Sequence, residues 1–414
     1  MLPEGACAGS LTGMTRTLFS GARVLDGTGS PPAEADLVVE DGRIVEIGPG
    51  LDGDEQVDLA GKSLLPGMFD CHTHLVVSTV DQMRNLQTPF SYRFYQAAEN
   101  LVATLGIGIT TVRDAGGADL GIKQAVADGL IPGPRMQISL SMIGQTGGHG
   151  DPWMASGADL RWLPRHPGVP DTLVDGVDEV RRVVRTLVRM GADVIKVATS
   201  GGVLSPRDKP THAHFRLDEL QVLVEEATAA GIFVMAHAQA TPGIKNAIRA
   251  GIRSIEHGIY LDDEAIEMML TRGTWLVPTL MAPRGVIDAA EAGAAMPEAS
   301  VAKAREVVEI HRASFAKAVE AGVNIAMGTD SGVTPHGLNL LELALMVEGG
   351  MTPMQAIEAT TRSAAELMGL DDELGTLEAG KRADLVVVDG DPLELATLAE
   401  RVSAVYQDGV RVTG

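Results

Sequence analysis

The apolar run Ser63-Leu64-Leu65-Pro66-Gly67-Met68-Phe69 leads into Asp70-Cys71-His72-Thr73-His74, and no other stretch restricts the fold as much. In an extended strand, residues i and i+2 share a face. His72 and His74 therefore leave a strand end side by side, either as two ligands of one metal or as two unrelated polar residues. The rest of the chain bears on that choice. Apolar segments recur at 67–75, 108–114, 135–143, 193–199, 232–238, 253–259, 274–280 and 323–329, with helical patterns such as 177–190, 217–230, 263–271 and 302–321 between them. Strands alternating with helices in this way predict a (β/α)8 TIM barrel of the α/β class.

The two chain ends read differently. Residues 17–25, 35–39, 43–47 and 56–65 are strand-like, with a hairpin signal at Glu40-Asp41-Gly42. Residues 383–389, 402–407 and 410–413 repeat this character around Asp408-Gly409. The expected organisation is a β-sandwich lobe from 17–66 plus 373–414, a metal-dependent barrel over 67–372, and a disordered 1–16, with Met14 as an alternative start. Residues 338–370 supply closing helices. The Gly-, Pro- and Trp-rich stretch 144–172 is too irregular for a helix and reads as an active-site loop.

A length of 414 residues suits a large barrel with a smaller lobe, and 45% hydrophobic content is ample for its core. A net charge of −22 argues against nucleic acid or an anionic membrane as partner. No stretch reaches the length of a membrane span, and the first residues lack the pattern of a secretory signal. The two cysteines, Cys7 and Cys71, form no disulfide framework, so a reducing cytoplasm is expected, with Cys71 a small buried strand residue.

In a barrel of this kind chemistry collects at the C-terminal strand ends. His72 and His74 end the first strand, Lys196 lies within the fourth, His237 ends the fifth, His257 the sixth and Asp330 the eighth. These imidazole and oxygen donors suit Zn²⁺ and admit Co²⁺, Mn²⁺ or Fe²⁺. A buried ammonium at Lys196 is costly and would repel two cations, which calls for a neutral or modified form. Reaction of the neutral amine with CO2 gives a carbamate whose two oxygens can bridge two divalent metal ions. The alternative is a lysine that snorkels to the strand end and pairs with an acid. His212 and His214 form a second His-x-His, read as loop residues or pocket lining before metal ligands.

At His72-Thr73-His74, Lys196, His237, His257 and Asp330 the chain resembles the amidohydrolase superfamily, in its two-metal branch with a carbamylated lysine. Gly375-Thr376-Leu377-Glu378-Ala379-Gly380-Lys381-Arg382-Ala383-Asp384-Leu385-Val386 and the lobe from both ends extend the resemblance over nearly the whole chain. A finer likeness, to the prolidase-like, imidazolonepropionase-related group that includes Xaa-Pro and Xaa-Arg/Lys dipeptidases, rests on four stretches. They are Val112-Arg113-Asp114-Ala115-Gly116-Gly117, Gly147-Gly148-His149-Gly150-Asp151, Thr199-Ser200-Gly201-Gly202-Val203, and Glu256-His257-Gly258 with Tyr260.

The resemblance implies a hydrolase of amide-type C–N bonds acting on a dipeptide, an N-acyl amino acid or a related small molecule, and a homo-oligomer. Two metals would lower the pKa of a bridging water and polarise the scissile carbonyl. Asp330 would take the water's proton and pass it to the leaving nitrogen. His149 would stabilise the oxyanion or hold a substrate carboxylate, or be a loop histidine without ligand contact. Arg113 and Tyr260 are candidate carboxylate anchors, with Arg113 alternatively a structural ion pair beneath the site. Other readings are a carbamate or aryl-amide xenobiotic hydrolase, a one-metal deaminase or cyclic-imine hydrolase, and a non-catalytic scaffold. Substrate walls are expected from loops 81–94, 144–170, 200–215 and 282–297, with Trp153, Met154, Trp162 and Pro164 as an apolar lid.

Overall fold

Short β-branched and apolar runs, broken by glycine turns, open the chain in a computed structural model that describes residues 15–161, 164–205 and 207–413. They form β1 (Thr17–Val24), β2 (Ala33–Glu40), β3 (Arg43–Gly48), β4 (Glu55–Asp58) and β5 (Lys62–Pro66). The single strand expected over 56–65 is thus two, divided at Gly61, whose φ of +79° turns the backbone. There follow β6 (Met68–Thr73), β7 (Ile109–Asp114), β8 (Arg135–Ile138), β9 (Met142–Ile143), β10 (Val194–Ala198), β11 (Phe233–Ala238), β12 (Ser254–His257) and β13 (Trp275–Val277). The chain ends on β14 (Leu385–Asp389), β15 (Val402–Gln407) and β16 (Val410–Thr413).

Both chain ends enter one eight-stranded sheet in the order β16-β15-β14-β5-β1-β2-β3, with β4 paired to β1. β14 runs antiparallel to β5, with Val387 opposite Leu64. The sheet folds back on itself. Phe19 on β1 and Tyr406 on β15 are three strand positions apart, which in a flat sheet would separate them by about 14 Å, yet their rings meet edge to face at 5.0 Å. The turns at its two edges also converge: Gly409 donates to the Ala383 carbonyl and Ala383 to the Gly42 carbonyl, each at 2.8 Å. Phe19, Leu37, Ile44, Leu64, Val387 and Tyr406 fill the fold's interior.

The middle of the chain is mixed α/β, with parallel sheets ordered β6-β7-β8 and β13-β12-β11-β10-β9. Helices between the strands bury one stripe. Val177–Arg189 covers Val180, Val183, Val184 and Leu187, the i, i+3, i+4, i+7 spacing of a one-sided helix. Two expected strands behave differently. The segment 135–143 breaks where Leu140 adopts φ +65°, so that β8 pairs with β7 and β9 with β10. One segment thereby serves both sheets. The segment 323–329 forms no continuous strand. It makes a single parallel bridge from Ile325 to Leu276, Met327 accepts from Cys71 at 2.9 Å, and Asp330 donates to the His72 carbonyl at 2.7 Å. The Met327 amide goes instead to Ala359, at the end of the helix Pro353–Ala359.

Two expected loops contain helices: Gln82–Gln87, capped by the Asp81 side chain, and Met281–Glu291. The described residues of 144–172 contain none. Cys7, Met14 and Trp162 lie outside the described residues. Among the described residues no helix is long and apolar enough to cross a membrane.

The folded-over sheet makes a prediction. Phe19→Ala removes a fully buried ring that touches both layers, and should cost about 3–5 kcal/mol. Denaturant unfolding measures this, and a loss below about 1 kcal/mol would mean that the layers do not depend on that contact.

Candidate metal centre

His72 is the last but one residue of β6 and is buried. Its Nδ1 lies 2.8 Å from Glu256 Oε2. A carboxylate accepts, so Nδ1 carries the hydrogen and Nε2 presents a lone pair. Burial, and then the charge of Lys196, hold His72 well below its usual range, which keeps it neutral. Glu256 is itself fixed by Arg113 Nη2 at 3.0 Å, while Arg113 Nε donates to the Cys71 carbonyl at 2.7 Å. Arg113 is therefore the structural ion pair beneath the site. It is fully engaged by protein groups and does not line the cavity, unlike a carboxylate anchor.

His74 follows the strand. Its Nδ1 donates to the Gly116 carbonyl at 2.8 Å, in a turn held by Asp114 accepting from the amides of Leu75, Gly116 and Ala118. His74 Nε2 then faces Asp330 Oδ1 at 3.2 Å, and His72 Nε2 faces the same oxygen at 3.4 Å. Burial raises the Asp330 carboxyl, but His72 and His74 outweigh it and hold it ionised below the usual carboxylate range. Imidazole and carboxylate lone pairs so opposed need a cation between them, either a proton or a metal. His257 completes the group, since donor atoms of His72, His257 and Asp330 all lie within 4.8 Å of one another. The donor chemistry fits a divalent metal.

Lys196 Nζ sits 3.2 Å from His72 Nε2, buried within β10. Burial brings its amine down to about 8, against Glu256 and Asp330, which favour the charged form. His237 turns Nε2 toward the Gly201 carbonyl at 3.2 Å, leaving Nδ1 as its free donor atom. His237 and His257 pack at 4.6 Å between ring centres, and His72 and His257 at 5.2 Å. His257 and Asp330 adopt φ of +72° and +60°, and Thr279, whose Oγ1 meets His257 Nδ1 at 2.6 Å, adopts +52°. Strained backbone of this kind persists where the surroundings over-determine it.

His149 stacks on His237, with ring centres 4.1 Å apart and planes 12° from parallel. Burial lowers it to about 4. Of the second His-x-His pair, His212 is exposed, while His214 is buried and its Nδ1 accepts weakly from the His149 amide at 3.4 Å. Neither belongs to the metal-competent group. Tyr260 packs beside Val203, Ile259 and Val286 and does not line the cavity. The sequence reading missed Glu256 as the partner of His72, although an acid within the apolar β12 was a visible signal. It also missed Ser205 and Asp208, which nothing in their loop distinguishes.

The donors form the floor of a cavity of about 250 Å³. Its walls include Met142, Met154, Leu160, Val203, Val286 and Val333, with Arg161 and Arg165 beside Asp171. Gly150, Pro152, Met154, Leu160, Arg161 and the stretch 169–173 contribute much of this wall, as expected of an active-site loop. Trp153 is half exposed and stacks under Arg207 at 4.4 Å rather than covering the site.

Fold and site together define an α/β protein with a histidine-rich, metal-competent centre at the ends of parallel strands. The chain belongs to the amidohydrolase family, whose model matches residues 63–413. It is 36% identical over 399 residues to ochratoxinase of Aspergillus niger, covering 91% of this chain and 82% of that protein. It is similar to the crystal structure of a Xaa-Pro dipeptidase with bound methionine, at 33% identity and a TM-score of 0.87, covering 96% of this chain and 100% of the other. A prolidase complexed with N-methylphosphonate-L-proline superposes with a TM-score of 0.88 at 36% identity, covering 96% and 99%. The chain is thus a prolidase-like amidohydrolase, a hydrolase of C–N bonds, with the TIM-barrel-type fold and extra lobe of that family.

Removing Arg113 strands Glu256 as an unpaired buried charge. Arg113→Ala should therefore destabilise the fold by about 3–5 kcal/mol in denaturant unfolding. A substrate anchor would instead raise KM and leave stability within about 0.5 kcal/mol.

Proposed function

We propose that this chain is a two-metal hydrolase of small secondary amides, namely N-acyl amino acids or dipeptides with an apolar acyl or side group. The observation that carries this is the convergence of His72, His74 and Asp330 lone pairs on the floor of an apolar-walled cavity. His72, His74, His237, His257 and Asp330 would hold the metals, zinc first with cobalt, manganese or iron as alternatives, and Lys196 would bridge them as its carbamate. When bound, the metals supply an activated water and polarise the scissile carbonyl. Asp330 Oδ1, ionised and 3.2 Å from His74, is the group placed to accept a proton and return it to the leaving nitrogen. Arg161 and Arg165, on the cavity wall, are the cations available to a substrate carboxylate. Lys196 within the cluster favours the two-metal reading over a one-metal deaminase. A carbamate or aryl-amide substrate is the second reading, favoured by the apolar wall. Assaying N-acyl amino acids, dipeptides, carbamates and aryl amides with the metal-loaded protein decides between them, and turnover of none would overturn both.

The same reading takes 67–372 as one closed (β/α)8 barrel and 17–66 with 373–414 as the lobe. Support comes from β8–β9 serving both parallel sheets and from the 325–330 backbone hydrogen-bonding on either side. We also propose a homo-oligomer in the cytoplasm. In a chain with only 3% aromatic residues, Phe90, Tyr92 and Tyr95 stand exposed beside Met83 and Leu86, an apolar patch suited to a second copy. Light scattering should report a multimer that Tyr92→Asp/Tyr95→Asp shifts toward monomer, and a monomeric wild type would refute it.

Carbamylation makes the sharpest prediction. Only the neutral amine reacts with CO2, and Lys196 loses its proton near pH 8. At fixed dissolved CO2, the initial rate of uptake by the metal-free protein should therefore rise as pH climbs through about 8 and level off above it, while the extent, which releases a proton for each carbamate formed, keeps rising. Mass spectrometry after trapping reads this directly. Lys196→Ala should lose at least one metal by elemental analysis and most activity, with partial rescue by short carboxylates. Lys196→Glu, which restores an anionic oxygen, should keep part of the metal. Retention of both metals and near-normal turnover in Lys196→Ala would overturn the bridging role.

A further inference from the structure

Glu342 is a buried carboxylate that neither lines the cavity nor takes part in the proposed chemistry. It stands in the first turn of the helix Leu341–Glu348. Its Oε1 accepts the Leu280 amide at 2.6 Å and its Oε2 the Met281 amide at 2.9 Å. These amides open the helix Met281–Glu291, whose N-cap side chain, that of Leu280, makes no hydrogen bond. The first amides of a helix have no acceptor within it, so Glu342 supplies from a distant segment the cap that the local sequence lacks. Burial pushes the Glu342 carboxyl up to about 8, and in either protonation form each oxygen keeps a lone pair for an amide.

The residue before this pinned pair is Thr279. It is fully buried, holds φ at +52°, and its Oγ1 meets His257 Nδ1 at 2.6 Å. A β-branched residue leaves left-handed backbone unless its surroundings hold it there. The hold comes from the amide pair on Glu342 and from the Ala282 amide, which donates to the Thr279 carbonyl at 3.0 Å. Three positions before Glu342, Asn339 Nδ2 donates to Asp70 Oδ2 at 2.8 Å, and Asp70 accepts from Thr329 Oγ1, next to Asp330. One turn of chain, 339–342, therefore braces both the segment that carries Asp330 and the segment that orients His257.

We propose that Glu342 is a positioning residue of the metal centre: by holding the Leu280 and Met281 amides it keeps Thr279 in its left-handed conformation, and Thr279 Oγ1 thereby aims the His257 ring at the donors of His72 and Asp330. This deepens the proposed function and rests on its reading of His257 as a metal ligand.

The test is zinc affinity, measured on the metal-free protein by competition with a chromophoric chelator. Glu342→Gln keeps the volume and one acceptor but turns an NH2 group toward one of the two amides. It should weaken zinc binding about 10–100-fold, the range found for residues that orient a ligand. Thr279→Val, which removes the hydroxyl, should do the same, and Thr279→Ser, which keeps it, should stay within about twofold of wild type. Because both losses break one path, the double variant Glu342→Gln/Thr279→Val should bind zinc within about twofold of the weaker single variant. A merely structural Glu342 would lower the unfolding midpoint and leave the zinc dissociation constant within about twofold of wild type, which overturns the proposal. Fully additive losses in the double variant overturn it as well. If Glu342→Gln does not fold, the wild type and Thr279→Val decide: slow hydrogen exchange at the Leu280 and Met281 amides together with weakened zinc binding in Thr279→Val supports the proposal, and rapid exchange or unchanged affinity overturns it. Wild-type protein that binds no zinc overturns the proposed function and this inference together, whereas wild-type binding that neither variant weakens overturns the inference alone.

Discussion

The buried chain Arg113–Glu256–His72 is the interaction on which the rest of the centre depends. Arg113 stands on β7, Glu256 on β12 and His72 on β6, so one guanidinium and one carboxylate join two parallel sheets that share no ladder there. Taking such an ion pair out of water costs several kcal/mol per ion, and mutual attraction repays that only with good geometry and further hydrogen bonds. Here the further bonds are present: Cys71 and Ser254 accept from Arg113, and Ser254 also donates to Glu256 at 2.5 Å. The return is registry. Glu256 sets the tautomer of His72, and His72 Nε2 is thereby aimed at Lys196 and Asp330.

Around that anchor, each donor is oriented by a different local device. His74 is set by the Gly116 carbonyl, His257 by Thr279, and Asp330 by a left-handed backbone tied to the His72 carbonyl. Behind them, Asp70 accepts from Thr329 at 2.6 Å and from Asn339 at 2.8 Å, and so fixes the turn that carries Asp330. These partners hold the first ring of donors in place before any ligand arrives, which is how protein sites keep metals and transition states well positioned. The cavity wall has a different origin. It comes largely from irregular segments after β9 and from the 203–205 turn, and their apolar side chains select for size and dryness rather than for charge.

By itself, the sequence determined what depends on short-range pattern. Period-2 alternation and apolar strands placed His72, His74, Lys196, His237, His257 and Asp330 at strand ends, and the structure gathers these residues around one cavity floor. Strand-rich termini also foretold that both ends meet in one sheet. The tertiary structure alone decided which partner each polar group takes. Nothing local says that Arg113 turns down toward Glu256 rather than up into the cavity, that 135–143 divides between two sheets, or that Met327 donates to Ala359. Nor does a polar loop reveal that Ser205 and Asp208 close on His149, nearly sixty residues away in the chain. Periodicity is written in neighbouring residues, whereas hydrogen-bond and ion-pair choices are made between segments brought together only after the chain has packed, and burial fixes their sign and strength there.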